Sequence, residues 1–273
     1  MLAEYKLRIR ITIETMGCGA SKAVAELKTQ LVVSTPSERG RILDGPAPDN
    51  APIVLTLTWK YRASPPSLEA RDAATGNVVL SVAGFDHFES PLSFYMDGKL
   101  VALKDKPTDF VKRGPWPQTD GYWDFWTASP AVSGQKSAKT VEDVPMYYWG
   151  LFRYDYRSHG PIQYVEQHDQ KLANAARGVV NDGSAHLAMK FRTHANVIYG
   201  PGSKLNNLKA SKMACGEPVA VVERSGDDPS PISKSPKQTV TLTMASQADA
   251  VLIIGMAHCL EYASAVYGIE LAG

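Results

Sequence analysis

Residues 239–254, TVTLTMASQADAVLII, join a β-type run to an apolar run of helical length, and this junction is the most informative part of the sequence. Ser246 and Asp249 have the spacing of a helix capping box, with aspartate in place of the usual glutamate or glutamine. The apolar run then continues from Ala250 to Tyr267. The sequence therefore predicts a last strand that leads directly into a C-terminal helix.

The predicted helix is apolar on almost every face, so other parts of the chain must surround it. A membrane span is a poor alternative, because a span needs about 20 clean apolar residues and His258 and Glu261 fall in the middle. Small residues keep the helix thin, as passage through the inside of a sheet would require: Gly255, Ala257, Ala263 and Ala265. We expect a hydrophobic helix enclosed by strands.

Short β-type runs recur through the rest of the chain from Ile53 onward, separated by turn residues. Thr75-Gly76-Asn77 and Asp97-Gly98 are hairpin signals. This rhythm is typical of an antiparallel sheet closed into a barrel or folded into a sandwich. Together with the helix it predicts a mainly β fold, a closed antiparallel β-barrel wrapped around a hydrophobic C-terminal helix.

Two interruptions and one boundary complete the predicted organisation. A stretch rich in Pro, Gly, Ser and Asp, 34–52, is typical of a linker, so we expect an N-terminal extension over 1–52 and a barrel domain over 53–273. Residues 107–143 and 226–237 are expected insertions. The first carries an aromatic cluster, which is either a loop pinned to the barrel or a ligand platform: Trp116, Tyr122, Trp123, Phe125 and Trp126.

Two segments of this chain, 60–82 and 239–254, resemble the tubby C-terminal-like fold, which tubby proteins share with phospholipid scramblases and the plant LURP-one-related group. The first is similar to the opening hairpin of that family, and the second to its last strand and central helix. The resemblance implies a closed barrel around the helix. Tubby proteins also bind the phosphates of phosphoinositides with a Lys-x-Arg pair on an early strand. The resemblance therefore implies a site that binds phosphoinositide-like headgroups.

Lys60 and Arg62 have this Lys-x-Arg spacing, and Lys190 and Arg192 repeat it. Residues i and i+2 of a strand project from the same face, so an ammonium and a guanidinium would converge on one anion. The extra basic cluster that usually accompanies the pair in tubby proteins is missing here. The alternative interpretation, which the abundance of charged residues on strand surfaces favours, is that both pairs lie on ordinary solvated strand faces.

Residues 16–22, MGCGASK, match a dual-acylation motif when they are read from Met16. Gly17 would carry myristate and Cys18 palmitate, and two acyl chains anchor a protein stably where one does not. This requires translation to start at Met16, because an internal glycine has no free amine; a start at Met1 leaves a simple glycine turn. The motif predicts a cytoplasmic protein held peripherally on the inner face of a membrane.

The net charge of +1 disfavours nucleic-acid binding, since no global positive field attracts a polyanion. The three cysteines, Cys18, Cys215 and Cys259, have no C-x-x-C spacing, which argues against a disulfide framework and fits a reducing compartment.

No motif names a nucleophile with its activating base, because G-x-S-x-G and H-E-x-x-H are both missing from the sequence. Burial on the apolar helix predicts an inert thiol for Cys259 and a neutral imidazole for His258. Four other histidines could in principle form a metal or acid/base site, and two of them, His186 and His194, would share a strand face: His159, His168, His186 and His194. Histidines without ligand spacing are more often structural or exposed. We expect no enzyme activity, metal or cofactor.

The leading interpretation is a non-catalytic, membrane-tethered module that binds anionic, phosphoinositide-like headgroups. Its partner would be a membrane surface, contacted through acyl chains and through Lys60 and Arg62. The alternative is a structural or adaptor protein that binds a protein partner through the aromatic insertion 107–143. The sequence leaves the oligomeric state open.

Overall fold

A computed structural model describes most of the chain from Ala51 onward and one short segment before it. The described residues are 25–31, 51–60, 67–84, 91–105, 120–129, 138–155, 162–167, 184–185, 187–190, 195–200, 203–205, 213–214, 216–225, 239–245 and 248–267.

The described residues are mainly β-strand, with a short helix α1 (25–29) before the strands and a long helix α2 (Ala250–Tyr267) after them. The strands of the first half are β1 (Ile53–Lys60), β2 (Ser67–Asp72), β3 (Val78–Ala83), β4 (Leu92–Met96), β5 (Lys99–Asp105), β6 (Asp120–Thr127), β7 (Ala138–Val141) and β8 (Val144–Asp155). Those of the second half are β9 (Ile162–Gln167), β10 (Ser184–Ala185), β11 (Leu187–Lys190), β12 (Ala195–Tyr199), β13 (Ser203–Leu205), β14 (Met213–Ala214), β15 (Pro218–Ser225) and β16 (Thr239–Met244).

Thirteen of these strands form one antiparallel sheet, in the order β6-β5-β4-β3-β2-β1-β16-β15-β12-β11-β9-β8-β7. The first strand and the last therefore lie side by side, with Leu55 of β1 opposite Leu242 of β16. In addition β6 pairs with β8, over a register that runs from Asp120 opposite Asp155 to Thr127 opposite Tyr147. The three short strands β10, β13 and β14 pair among themselves.

Alternation of apolar and polar residues gives the sheet a buried face and an outer face. In β1, Leu55, Leu57 and Trp59 are buried, whereas Thr58 and Lys60 are exposed. The buried face and the helix share one hydrophobic cluster, to which β1–β6, β8, β11, β12, β15 and β16 contribute. This confirms the prediction of a mainly β, antiparallel fold with a buried C-terminal helix.

Helix α2 is buried on all sides over residues 250–258. A Cβ placed on Gly255 would lie 3.1 Å from Cζ of Phe94 on β4 and 3.3 Å from Cζ of Phe152 on β8. Such distances are tighter than ordinary van der Waals contact, so glycine lets the helix approach these rings. The prediction that a small residue keeps the helix thin is confirmed at this position.

A second, smaller core lies around the β7–β8 hairpin, against β4, β5 and β6. Tyr95 of β4 donates a hydrogen bond of 2.8 Å to Oε1 of Glu142 in the hairpin turn, and desolvation raises the pKa of Tyr95. Lys139 of β7 donates to Asp105 of β5 at 2.6 Å. The buried members of this core are Leu100, Leu103, Trp126, Met146 and Tyr148.

Both predicted hairpin turns are confirmed, with positive φ at Gly76, Asp97 and Gly98. The predicted insertion 107–143 is wrong in part, because it contains strands β6 and β7. The many aromatic residues of this segment favour a loop, but the alternation of Trp123 and Phe125 with polar Asp124 is a strand pattern.

The segment before the sheet also contacts it. Lys28 of α1 forms an ion pair with Glu223 of β15, and Leu31 packs against the main core cluster. The division into an extension, 1–52, and a domain that starts at Ile53 stays a prediction, although β1 does begin at Ile53.

Candidate functional site

The candidate site lies on the outer face of β1 and β2, where the predicted cation Lys60 is found. Lys60 is opposite Ser67 in the antiparallel register, and Thr58 is opposite Glu69. Side chains two residues apart along β2 project from the same face, so Glu69 and Arg71 both join Lys60 on the outside. The side chains of Lys60 and Arg71 are 47% and 41% exposed, which leaves both cations accessible to a ligand.

Glu69 is held by both cations at once. Lys60 Nζ donates to Oε1 of Glu69, and Arg71 Nη2 donates to Oε2 at 2.6 Å. The hydrogen bond from Lys60 is the main reason that the pKa of Glu69 is lowered, with Arg71 adding to the effect. The carboxylate is therefore charged at neutral pH, and its two oxygens each face one cation.

The turn that follows β2 fixes the position of Arg71. Its Nη1 donates to the carbonyl oxygen of Gly76 at 3.0 Å. Oδ1 of Asp72 accepts hydrogen bonds from the amides of Ala74 at 2.9 Å and Thr75 at 2.7 Å. The bond from the Thr75 amide is the largest cause of the lowered pKa of Asp72. The guanidinium is thus hydrogen-bonded to the β2–β3 turn, and Asp72 and Glu69 together balance the formal charge of Lys60 and Arg71.

The remaining predicted site residues are not brought to this face by the described structure. Lys190 ends β11, which is separated from β1 by β12, β15 and β16 in the sheet, so Lys60 and Lys190 are not on neighbouring strands. The other predicted residues lie outside the described part of the chain: Gly17, Cys18, Arg62 and Arg192. Their roles stay predictions.

A group of polar and aromatic side chains is buried inside the molecule, beside helix α2. Nε1 of Trp59 donates to Nδ1 of His258 at 3.3 Å. Lys104 is only 4% exposed, and its ammonium lies 4.4 Å from the ring centroid of Trp123, a cation–π distance. Burial, with a contribution from the charge of Lys104, lowers the pKa of His258 to about 3. The prediction of a neutral imidazole is confirmed.

Most of the predicted aromatic cluster is packed inside the protein. Trp123 and Phe125 belong to the main core, and Trp126 belongs to the smaller core. Phe125 contacts Trp149 edge to face, with ring centroids 6.0 Å apart. These three rings therefore act as packing, as aromatic side chains usually do, while Trp116 lies outside the described residues.

Within the described ranges, no three His, Cys, Asp or Glu side chains come together as metal ligands would. His87, His159, His168, His186 and His194 lie outside those ranges. None of the described helices has the length and apolar character needed to cross a bilayer.

Sequence reasoning missed Glu69 and Arg71 as parts of the site. The predicted turn at Gly76 joins β2 to β3 and sets Glu69 opposite Ser81. The register that sets Glu69 opposite Thr58 belongs to the β1–β2 pair, for which the sequence analysis identified no turn. Lys104 was also missed, because a lysine between Leu103 and Asp105, at the polar end of a strand, is ordinarily expected to reach solvent.

No protein-family model, curated protein or solved structure matches this chain. The candidate site therefore rests on the contacts that its own side chains make.

Proposed function

We propose that this protein is a non-catalytic, membrane-tethered module that binds anionic, phosphoinositide-like headgroups on the outer face of β1 and β2. The observation that carries the proposal is the shared carboxylate of Glu69, held between Lys60 and Arg71. Arg62, predicted from the sequence as the partner of Lys60, would be a further cation for the headgroup, and acyl chains on Gly17 and Cys18 would hold the module at the membrane.

The geometry around Glu69 is the one that a phosphate group needs. Two cationic donors approach two oxygens of one anion, which is how lysine and arginine bind phosphate. Solvent-exposed ion pairs contribute only about 0–1 kcal/mol, so a headgroup with more negative charge than a carboxylate can compete with Glu69. The acyl tether would then raise the effective concentration of lipid at the face.

We also propose that the sheet closes into a barrel with α2 inside. The pairing of β6 with β8 supports this, because β6 is the first strand in the sheet order and β8 is the last but one, next to β7. The burial of residues 250–258 on all sides supports it as well. A closed sheet would leave its outer face as the surface for ligands, which agrees with the position of Lys60.

The alternative function, an adaptor that binds a protein through the aromatic insertion 107–143, has less support. Its three described aromatic side chains, Trp123, Phe125 and Trp126, are buried. A partner would have to use other residues of the insertion.

Vesicle co-sedimentation of the full-length chain tests the lipid proposal. K60E/R71E should weaken binding to vesicles that contain phosphatidylserine or a phosphoinositide by about tenfold or more, since each cation near such a surface contributes about 1 kcal/mol. The matched control is K28E/K99E, which reverses two other described lysines and changes the net charge by the same amount, with folding checked by thermal unfolding. Equal binding of K60E/R71E and K28E/K99E would overturn the proposal.

A further inference from the structure

The described segment before the sheet, 25–31, contains the short helix α1 and is buried on one side only. Leu27, Lys28 and Leu31 are half-buried, and the other four residues of the segment are exposed. Residues three or four apart lie on the same side of a helix. The segment therefore has the burial pattern of a helical turn docked on a surface.

That surface includes the outer face of β15. Val222 belongs to the main core cluster and Glu223 follows it, so strand alternation points the Glu223 side chain outward. Lys28 Nζ forms an ion pair with Oε2 of Glu223, and the two side chains are 34% and 27% exposed. Leu31, three residues after Lys28, packs against the main core cluster. One charged contact and one apolar contact thus join the segment to the sheet.

Glu223 belongs to a row of residues that crosses four neighbouring strands. It lies opposite Thr241 of β16, Thr241 lies opposite Thr56 of β1, and Thr56 lies opposite Arg71 of β2. Residues that face each other in an antiparallel register project from the same face, and three strand spacings amount to about 14 Å. The segment 25–31 therefore contacts the same face that carries the candidate site, three strands away from Arg71.

Helix α1 is too short to be stable by itself. It has five residues, and isolated helices shorter than about 12–15 residues are marginal in water. The Gln30 amide donates to the Leu27 carbonyl at 3.0 Å, and the Thr29 hydroxyl donates to the Glu26 carbonyl at 2.7 Å. These local bonds close a single turn but do not offset the entropy lost when the chain is ordered. The helical turn therefore depends on the contacts that Lys28 and Leu31 make with the sheet.

We propose that residues 25–31 form a clamp that becomes helical only when it docks on β15, so that helix formation and docking are one reversible step. In the docked state, the chain before Ala25 leaves the domain on the face that carries the candidate site. Release of the clamp removes this point of attachment. The docking is independent of the proposed function, whereas its consequence for the acylation motif at Gly17 and Cys18 rests on that function.

Hydrogen exchange of the amides of 25–31, read by mass spectrometry on the full-length chain without vesicles, tests the clamp. E223K sets a second cation against Lys28 and should lower protection by about fivefold to tenfold. K28E/E223K restores an opposite-charge pair and should recover most of that protection. The matched control is E217K, the same charge change at an exposed position just before β15, which should leave protection unchanged.

A second variant tests the apolar contact. L31S removes the leucine that packs against the main core cluster and should lower the protection of 25–30 by about tenfold or more. The amides of β1 serve as the reference for global unfolding, because opening of the clamp alone should not change their exchange.

The outcomes separate this inference from the proposed function. Loss of protection in E223K, with recovery in K28E/E223K, confirms the clamp and its position on β15. Equal protection in E223K and E217K, or no recovery in K28E/E223K, overturns it, as does exchange of 25–31 in the unaltered chain at the rate of an unfolded peptide. K60E/R71E leaves Lys28 and Leu31 in place and should not change this protection, so failure of vesicle binding and failure of the clamp are distinct results.

Discussion

Nε1 of Trp59 donates a hydrogen bond to Nδ1 of His258 across 199 positions of sequence, at 3.3 Å. The bond joins the first strand of the sheet to the last helix, inside the core. It fixes the imidazole tautomer, since an accepting Nδ1 is unprotonated. The interaction thus specifies both where α2 lies and which form of His258 the fold contains.

His258 should make the stability of the protein depend on mildly acidic pH. Its pKa falls from 6.5 to about 3 on folding, so the unfolded chain binds more protons between these values. The contribution of neutral His258 to the free energy of unfolding is therefore fully present above pH 6.5 and decreases as the pH falls towards 3. At pH 5 the decrease is about 2 kcal/mol. Chemical denaturation at pH 7.5 and pH 5 measures the loss.

The H258Q variant is the control for this pH dependence, because glutamine keeps an acceptor for the Trp59 indole and does not titrate. In H258Q, the difference in unfolding free energy between pH 7.5 and pH 5 should be smaller than in the unaltered protein by about 2 kcal/mol, the part due to His258. An identical pH dependence in both proteins would show that His258 is not buried and neutral.

Gly255 should tolerate no larger side chain. G255V adds atoms where a Cβ already meets the rings of Phe94 and Phe152 at 3.1 and 3.3 Å. Overpacking of this kind lowers the free energy of unfolding by about 1–3 kcal/mol, which urea denaturation would detect.

The paired variant F94L identifies the cause of that effect. A smaller residue at 94 removes the ring that a side chain at 255 would meet, so G255V should cost less in the F94L background by at least about 0.5 kcal/mol. Strict additivity of the two substitutions would mean that α2 does not pack against Phe94.

Residues whose local chemistry is unambiguous allowed much of the fold to be predicted. The alternation of apolar and polar residues in β1 predicted a strand, and the glycines at 76 and 98 predicted hairpin turns. Because α2 is apolar on almost every face, the sequence also predicted that it is buried. Strand β6 was missed because its aromatic residues are adjacent to prolines and glycines in the sequence, which favoured a loop. Pairing of β6 with both β5 and β8 is a long-range feature that no local pattern encodes.

The candidate site was predictable only in part, for a physical reason. Lys60 was placed on an exposed strand face by its own alternation. The residues that contact it, Glu69 and Arg71, come from the next strand, and their identity depends on register. Lys104 of β5 is buried against Trp123 of β6 and acts on His258 of α2, and a single segment of sequence does not reveal these long-range neighbours.

Acylation of Gly17 and Cys18 predicts a defined N-terminal mass. Intact-mass spectrometry of protein from its native cells should find a chain that starts at Gly17 with myristate, and a thioester-labile palmitate on Cys18. G17A is the control, because it removes the acylated amine and should release the protein into the soluble fraction. A native chain that starts at Met1 without either modification would contradict the tether.

Removal of the Glu69 charge should strengthen headgroup binding rather than weaken it. In E69Q, Lys60 and Arg71 lose the carboxylate that they share, so both cations become available to phosphate and the face gains one unit of positive charge. We expect affinity for anionic vesicles to rise by about threefold to tenfold at 0.1 M salt and the gain to shrink at 0.5 M. E142Q, which removes a carboxylate on the β7–β8 turn, controls for net charge and should change binding much less. Equal gains in E69Q and E142Q would assign the effect to overall charge, and unchanged or weaker binding of E69Q would show that the Lys60–Arg71 pair serves only to stabilise the hairpin.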